Sequence, residues 1–378
     1  MKMFIWKYEN NELDSSYTQE KFNKFINDKK KALQIWEKVK DELSKQKKDK
    51  KFLSKKVNDK LFFFFTSKLS EEDILDIINS DIKIIKINNS MKTPYRYGGS
   101  SDNRQVKIGQ EFYMAKYSKT LDNVVNKNDL TIHRQTAFME YLACKILKLY
   151  KINVQEVEMG FDLDKNEYCV LCKDFTNHFQ IIPLSSESSH NVREEADDIN
   201  DLTGYLLPRL FDKYNTLDKK EATDNWLIMS VTDFLIGNRD RHLGNIGYLY
   251  DYEKLNITPI FDNGASLGCY IHIDKIEDFY NLKELKKCII DEYQDLYQNF
   301  NRIHINYDNI LNHKLPKIFY DKVEDILGKY NTPLGLDIFD KLAKLPNLSE
   351  QEILHIKLAK MIYIRNFKIL KESIKEKK

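Results

Sequence analysis

Apolar residues recur every three or four positions through residues 18–54, at Phe22, Phe25, Ile26, Leu33, Ile35, Trp36, Val39 and Leu43, among dense lysine, glutamate and aspartate. That spacing predicts helix. Residues 61–66 carry a continuous apolar run that predicts a strand. Ser70 stands as an N-cap before Glu71, Glu72 and Asp73, so a short helix is predicted over 70–80. IKIIKI, residues 82–87, reads as another strand. This opening stretch is a small α+β extension in which no catalytic constellation is visible.

The texture changes at Tyr95. Paired glycines and a polar turn in YRYGGSSDNRQVKIGQ lead into the apolar-rich run 111–117, which predicts strand, loop, strand. Residues 131–150 carry an apolar stripe at helical spacing, and residues 154–157 and 168–172 suggest further strands. After Phe175 the pattern is mostly helical, interrupted over 245–261 by two short β-type runs on either side of a polar turn at 251–254. Helices dominate from 275 onward. The division expected is therefore 1–90 as an extension, 91–176 as a sheet-rich lobe and 177–378 as a mostly helical lobe, an α+β fold.

Composition narrows the picture. Sixty Lys+Arg against 58 Asp+Glu give a formal charge of +2, so no one-signed field argues for nucleic-acid binding. The lysine-rich stretch 45–60 reads as a solvated helix face, with a phosphate backbone or an anionic membrane as the alternatives. MKMFIWKYENNELD lacks the apolar core of a secretory signal, and no apolar run reaches membrane-spanning length. Five cysteines, an odd number, fit a reducing compartment better than a disulfide framework. Cys169 and Cys172 form a C-x-x-C, but inside an apolar strand-like run with no second pair, so a zinc or redox role is not expected. The expectation is a soluble cytoplasmic chain, with export as an effector left open.

The chemistry concentrates in two segments. DRHLGN, residues 240–245, is followed after one hairpin by FDNG, residues 261–264. Phosphoryl transfer needs little covalent help from the protein; it needs an oriented acceptor hydroxyl, a metal held on the phosphates and neutralisation of developing charge. Asp240 and Asn245 stand five apart, the offset of the catalytic Asp and the metal-binding Asn in the kinase H-R-D-x-x-x-x-N loop. Two strands of about six residues, rising and returning about 3.3 Å per residue, would bring Asp262 back beside Asn245. Asn245 and Asp262 are then the metal ligands, a sparse set that suits magnesium. His242 either braces the loop or orients the acceptor. Taken singly, either segment would pass for a polar turn.

DRHLGN and FDNG, together with YGGSSDNRQVKI, EFYMAKY, FMEYLACKIL and VLCKDFTNH, resemble successive blocks of the HipA-like serine/threonine kinases, and of their CtkA-like branch in particular, over roughly residues 95–270. The resemblance implies a bilobal protein-kinase-like fold using ATP and magnesium. It implies that Lys116 reaches the nucleotide phosphates, that Glu140 pairs with Lys116, and that Gly98, Gly99, Ser100 and Ser101 lie over the phosphates. It further implies that the linker carrying Cys172 and Asp174 meets the adenosine, and that Ser100 or Ser101 is autophosphorylated. On residue type alone, Glu140 would be a solvated helix face and Asp174 a ligand of ribose or of a lobe neighbour. Three functional readings stand: a protein kinase of toxin, effector or regulatory type with a protein substrate and an antitoxin or regulatory partner; a lipid or small-molecule kinase, since D-R-H-x-x-N loops occur there too; and a nucleotide-binding pseudokinase.

Overall fold

The computed structural model describes residues 3–10, 12–45, 52–66, 70, 71, 74, 82–97, 103–118, 136–176, 179–184, 212, 214–269, 299–300 and 303–375. The chain divides into two compact units, Met1–Asp81 and Ile82–Lys378.

The first unit is built on a four-stranded antiparallel sheet in the order β2-β1-β4-β3, from β1 (Phe4–Glu9), β2 (Glu12–Asp14), β3 (Phe52–Val57) and β4 (Lys60–Phe65). Four consecutive phenylalanines, Phe62 to Phe65, are all buried because β4 is covered on both faces. Phe62 and Phe64 join Phe22, Val39 and Leu43 of the helices α1 (Gln19–Phe25) and α2 (Lys29–Lys45), while Phe63 and Phe65 pack with Trp6 and Ile74. A strand buried on both faces gives up alternation for a continuous apolar run. The helical stretch read over 18–54 is thus two helices and the start of a strand. The break falls at Asp28, whose Oδ1 accepts the amides of Lys30 and Lys31 at 3.0 and 3.2 Å and so starts a new helix. Of the short helix expected over 70–80, the Ile74 amide donates to the Ser70 carbonyl at 3.2 Å; most of its residues lie outside the described set.

The second unit opens with a six-stranded sheet in the order β5-β9-β10-β8-β7-β6, comprising β5 (Ile84–Ile87), β6 (Lys92–Arg96), β7 (Arg104–Ile108), β8 (Glu111–Tyr117), β9 (Val157–Asp162) and β10 (Glu167–Lys173). All pairings are antiparallel except β5 with β9, so the strand at 84–87 belongs to this sheet rather than to the extension. The strand expected at 154–157 begins only at Val157; Val154 instead forms a parallel bridge with Ile260, flanked by hydrogen bonds from Gln155 to Ile260 and from Ile260 to Asn153. Cys169 and Cys172 face opposite sides of β10 and lie in different hydrophobic clusters, which explains why their C-x-x-C spacing makes no site.

Helix α3 (Thr136–Leu149) packs under this sheet and is buried nearly all round. It shares one continuous core with α4 (Lys219–Ile236) and the C-terminal helices α5 (Tyr307–Leu311), α6 (Lys317–Leu327), α7 (Leu336–Leu342) and α8 (Glu350–Lys375). A three-stranded sheet, β11-β12-β13 (Gln180–Pro183, Gly247–Tyr250, Leu255–Ile257), and a β14-β15 hairpin (Asn299–Phe300, Ile303–His304) complete the described strands. The hairpin strands β12 and β13 are four and three residues long, shorter than the six anticipated. Asp218 caps the start of α4, and Gly237, at φ +61, closes its end in the left-handed conformation that glycine adopts without strain. Asn366 of α8 donates to the carbonyls of Phe234 and Leu235 in the last turn of α4, adding a partner to the Phe234 carbonyl, which also accepts the Gly237 amide. The segment after Gly237 therefore leaves a firmly held base. None of the described helices is long and apolar enough to cross a membrane.

Candidate active site

The site forms where β8, α3 and the two polar loops after α4 converge. On β8, Ala115 and Tyr117 turn into the cluster containing Cys169 and Leu171, so the intervening Lys116 points to the opposite face, toward α3. Its Nζ lies 2.9 Å from Glu140 Oε2 and 2.8 Å from Asp262 Oδ1. Burial alone would push this ammonium down, but the carboxylates of Asp262 and Glu140 outweigh burial and hold it well above the usual lysine range. The same attraction to Lys116 holds the Asp262 carboxyl below its usual range, against its desolvation. At neutral pH the pair is fully ionised.

Glu140 does more than pair with the lysine. It is 0% exposed, so the solvated-face reading fails: α3 has apolar residues around nearly its whole circumference, and a single carboxylate there must be partnered. Its Oε1 accepts the Asn263 amide at 2.8 Å. A β-carbon on Gly264 would stand 3.1 Å from Glu140 Oε2, so the glycine of FDNG lets the loop come this close. One buried carboxylate thus orients both the lysine on β8 and the loop that carries Asp262.

The loop at 238–245 is held mainly by its own backbone and by Asp233 on α4. Asn238 donates through Nδ2 to Asp233 Oδ1 at 3.2 Å and accepts the Asp240 amide on its own Oδ1 at 3.1 Å. The Asp240 carbonyl accepts from the His242 amide and from Asn245 Nδ2, each at 2.9 Å. These bonds fix the backbone of Asp240 while the residue itself is exposed. Because Asn245 donates with its nitrogen, the other end of its amide is an oxygen, a hard acceptor. His242 accepts the Gly244 amide on Nδ1 at 3.0 Å, which is the loop-bracing arrangement.

Arg241, buried at 5% exposure, joins the two loops: its Nη1 donates to the carbonyl of Asn245 at 3.0 Å and to that of Phe261 at 2.6 Å. The backbones flanking Asn245 and Asp262 therefore meet at one nitrogen. Asp262 itself sits at φ +57, in the left-handed region, and is 45% exposed at its side chain.

The other residues singled out from the sequence are not among the hydrogen-bonded groups described above. Gly98, Gly99, Ser100 and Ser101 lie outside the described residues. The Cys172 side chain is fully buried on β10, on the face shared with Lys116, and burial drives its thiol well above the normal range. Asp174 is bonded to its neighbours: Tyr97 donates its hydroxyl to Oδ2 at 2.7 Å, and Thr176 donates its amide and hydroxyl to Oδ1 at 2.9 and 2.6 Å. The sequence reading assigned no role to Arg241, Asp233, Asn238 and Asn263. Asp233 carried a usable signal, being an acidic residue in the last turn of an otherwise apolar helix.

No family model matches the chain. The serine/threonine-protein kinase CtkA of Helicobacter pylori strain J99 is 29% identical over 262 residues, covering 64% of this chain and 77% of that protein. The crystal structure of the H. pylori proinflammatory kinase CtkA superposes with a TM-score of 0.63 at 23% identity, covering 78% of this chain and 97% of that one. About a fifth of the present chain thus has no counterpart there. Shewanella oneidensis HipA, solved with HipB and its operator DNA, gives a TM-score of 0.44 at 16% identity. The CtkA sequence and the CtkA fold agree: this chain is a kinase that resembles CtkA in both.

Proposed function

We propose that this chain transfers the γ-phosphoryl group of ATP, with magnesium, to a serine or threonine hydroxyl of a protein. The observation that carries the reading is the meeting of Lys116, Glu140 and Asp262 within hydrogen-bonding distance, beside a loop that presents Asp240 and Asn245. Two carboxylates share one ammonium, which leaves a net negative charge at a half-exposed Asp262, and the Asn245 amide oxygen is the second hard donor. This donor set fits a magnesium ion that keeps water and phosphate oxygens in its remaining positions. When bound, magnesium supplies neutralisation of the phosphate charge.

The remaining work falls to the chain's own groups. Lys116 exchanges its contact with Asp262 for a phosphate oxygen while Glu140 keeps it aimed. Asp240, exposed at the loop, orients the acceptor hydroxyl and takes its proton as the new P–O bond forms and the bond from the γ-phosphorus to the bridging oxygen breaks, releasing ADP. The protein acceptor is the finer part of the proposal, supported by the name of the relative, and autophosphorylation at Ser100 or Ser101 and action as a toxin or effector belong with it.

Incubation with γ-labelled ATP and, in turn, a lysate protein fraction, phosphoinositide vesicles and small-molecule alcohols is expected to label protein on serine or threonine. Label confined to lipid or small molecules would replace the acceptor class, and nucleotide binding without turnover would make the chain a pseudokinase. Phosphopeptide mapping of the incubated chain is expected to find Ser100 or Ser101 modified; finding neither removes the autophosphorylation claim.

A further inference from the structure

Every N–H of Arg241 is spent, and the five bonds reach three separate pieces of the site. Nε and Nη2 grip the two oxygens of Asp233 on α4, each at 3.0 Å; Nη2 also donates to Asn263 Oδ1 at 2.7 Å; Nη1 holds the carbonyls of Asn245 and Phe261. Asp233 is as buried as its partner, at 2% exposure. Through Asn238, the same carboxylate also sets the Asp240 amide. A single residue on α4 is therefore the reference point for both loops.

The consequence falls on Asp262. A left-handed backbone at a non-glycine residue persists only where its surroundings over-determine it. Both neighbours of Asp262 are held: the Phe261 carbonyl and the Asn263 side chain by Arg241, and the Asn263 amide by Glu140. We propose that Arg241 is a positioning residue for phosphoryl transfer, acting through this clamp to keep Asp262 in its left-handed conformation facing Lys116, at a fixed separation from Asp240 and Asn245. The proposal rests on the kinase reading above. Arginine is required because its planar fork presents five donors in fixed directions; the three donors of lysine diverge from one point and cannot serve Asp233, two carbonyls and an amide together.

The test uses the full chain with Arg241→Lys and Asn263→Ala. Three readouts are compared with wild type: backbone amide exchange across residues 261–264, Mn2+ affinity in the presence of ATP by water-proton relaxation, and kcat against KM for ATP at saturating metal. Arg241→Lys is expected to fold, to exchange faster at 261–264, and to lose about 10- to 100-fold in both Mn2+ affinity and kcat, the range seen when an outer partner of a metal ligand is removed, with KM for ATP little changed. Asn263→Ala removes one of the five bonds while leaving the Asp233 pair intact, and moves the same readouts less. A folded Arg241→Lys with wild-type exchange and metal affinity overturns the proposal, as does a loss of activity that merely tracks the folded fraction. Should Arg241→Lys fail to fold, Asn263→Ala decides, and unchanged exchange and metal affinity in that variant overturn the proposal. A wild-type chain that transfers no phosphate sinks the kinase reading instead, and exchange and Mn2+ binding still decide the role of Arg241.

Discussion

Replacing Asp240 with asparagine is expected to lower turnover by about 10²- to 10⁴-fold, the usual contribution of a positioned general base, while magnesium–ATP binding survives. The separation follows from the geometry. Asp240 is exposed, and its loop is fixed by backbone bonds to Asn238, His242 and Asn245 that an isosteric side chain leaves in place. Of the groups read as phosphate and metal ligands, Lys116 pairs with Asp262 and also with Glu140, so neither depends on the Asp240 side chain. Rapid-quench turnover beside calorimetric nucleotide binding checks both halves. Wild-type turnover in Asp240→Asn would remove the residue from the mechanism.

Lys116→Met should abolish transfer and also destabilise the second unit by about 3 to 5 kcal/mol, because it strands the fully buried Glu140 carboxylate without its cation. The double variant Lys116→Met with Glu140→Gln is expected to recover much of that stability and none of the activity, which separates structural from chemical loss. The pH dependence has a definite sign. Asp262 has its folded pKa depressed below 3.8, so its contribution is present above that value and is lost as pH falls through the folded pKa. Lys116 has its folded pKa raised above 10.5, so its contribution is complete below 10.5 and is lost as pH rises through the folded pKa. Denaturant titrations should find the difference between wild type and Lys116→Met flat across neutral pH and shrinking at both extremes; a difference that peaks near neutrality and falls within a unit on either side would contradict the ion pair.

The convergence of Lys116, Glu140 and Asp262 was more legible than the scaffold that produces it. DRHLGN and FDNG could be read because phosphoryl transfer fixes both residue type and offset, and Lys116 because a lone cation in an apolar strand must be placed for a reason. In the chain, the strands of the six-stranded sheet precede most of the described helices of the second unit. What remained hidden depends on contacts remote in sequence. The burial of Glu140 follows from apolar residues all round α3, which periodicity alone does not distinguish from an amphipathic surface. Arg241 sits between two conspicuous residues and is recognisable only once Asp233, Asn245, Phe261 and Asn263 surround it. The β1–β2 hairpin was hidden because its turn places Asn10 at positive φ with no glycine to mark it. One helix was read where there are two, because the break at Asp28 leaves the apolar spacing almost undisturbed.

A crystal structure with magnesium and a non-hydrolysable ATP analogue tests the account most directly. It should show one cation touching both Asn245 Oδ1 and the Asp262 carboxylate, with Lys116 moved from Asp262 onto a phosphate oxygen and still bonded to Glu140. A cation bound elsewhere, or a lysine that keeps Asp262 while the phosphates lie away from both loops, would contradict it.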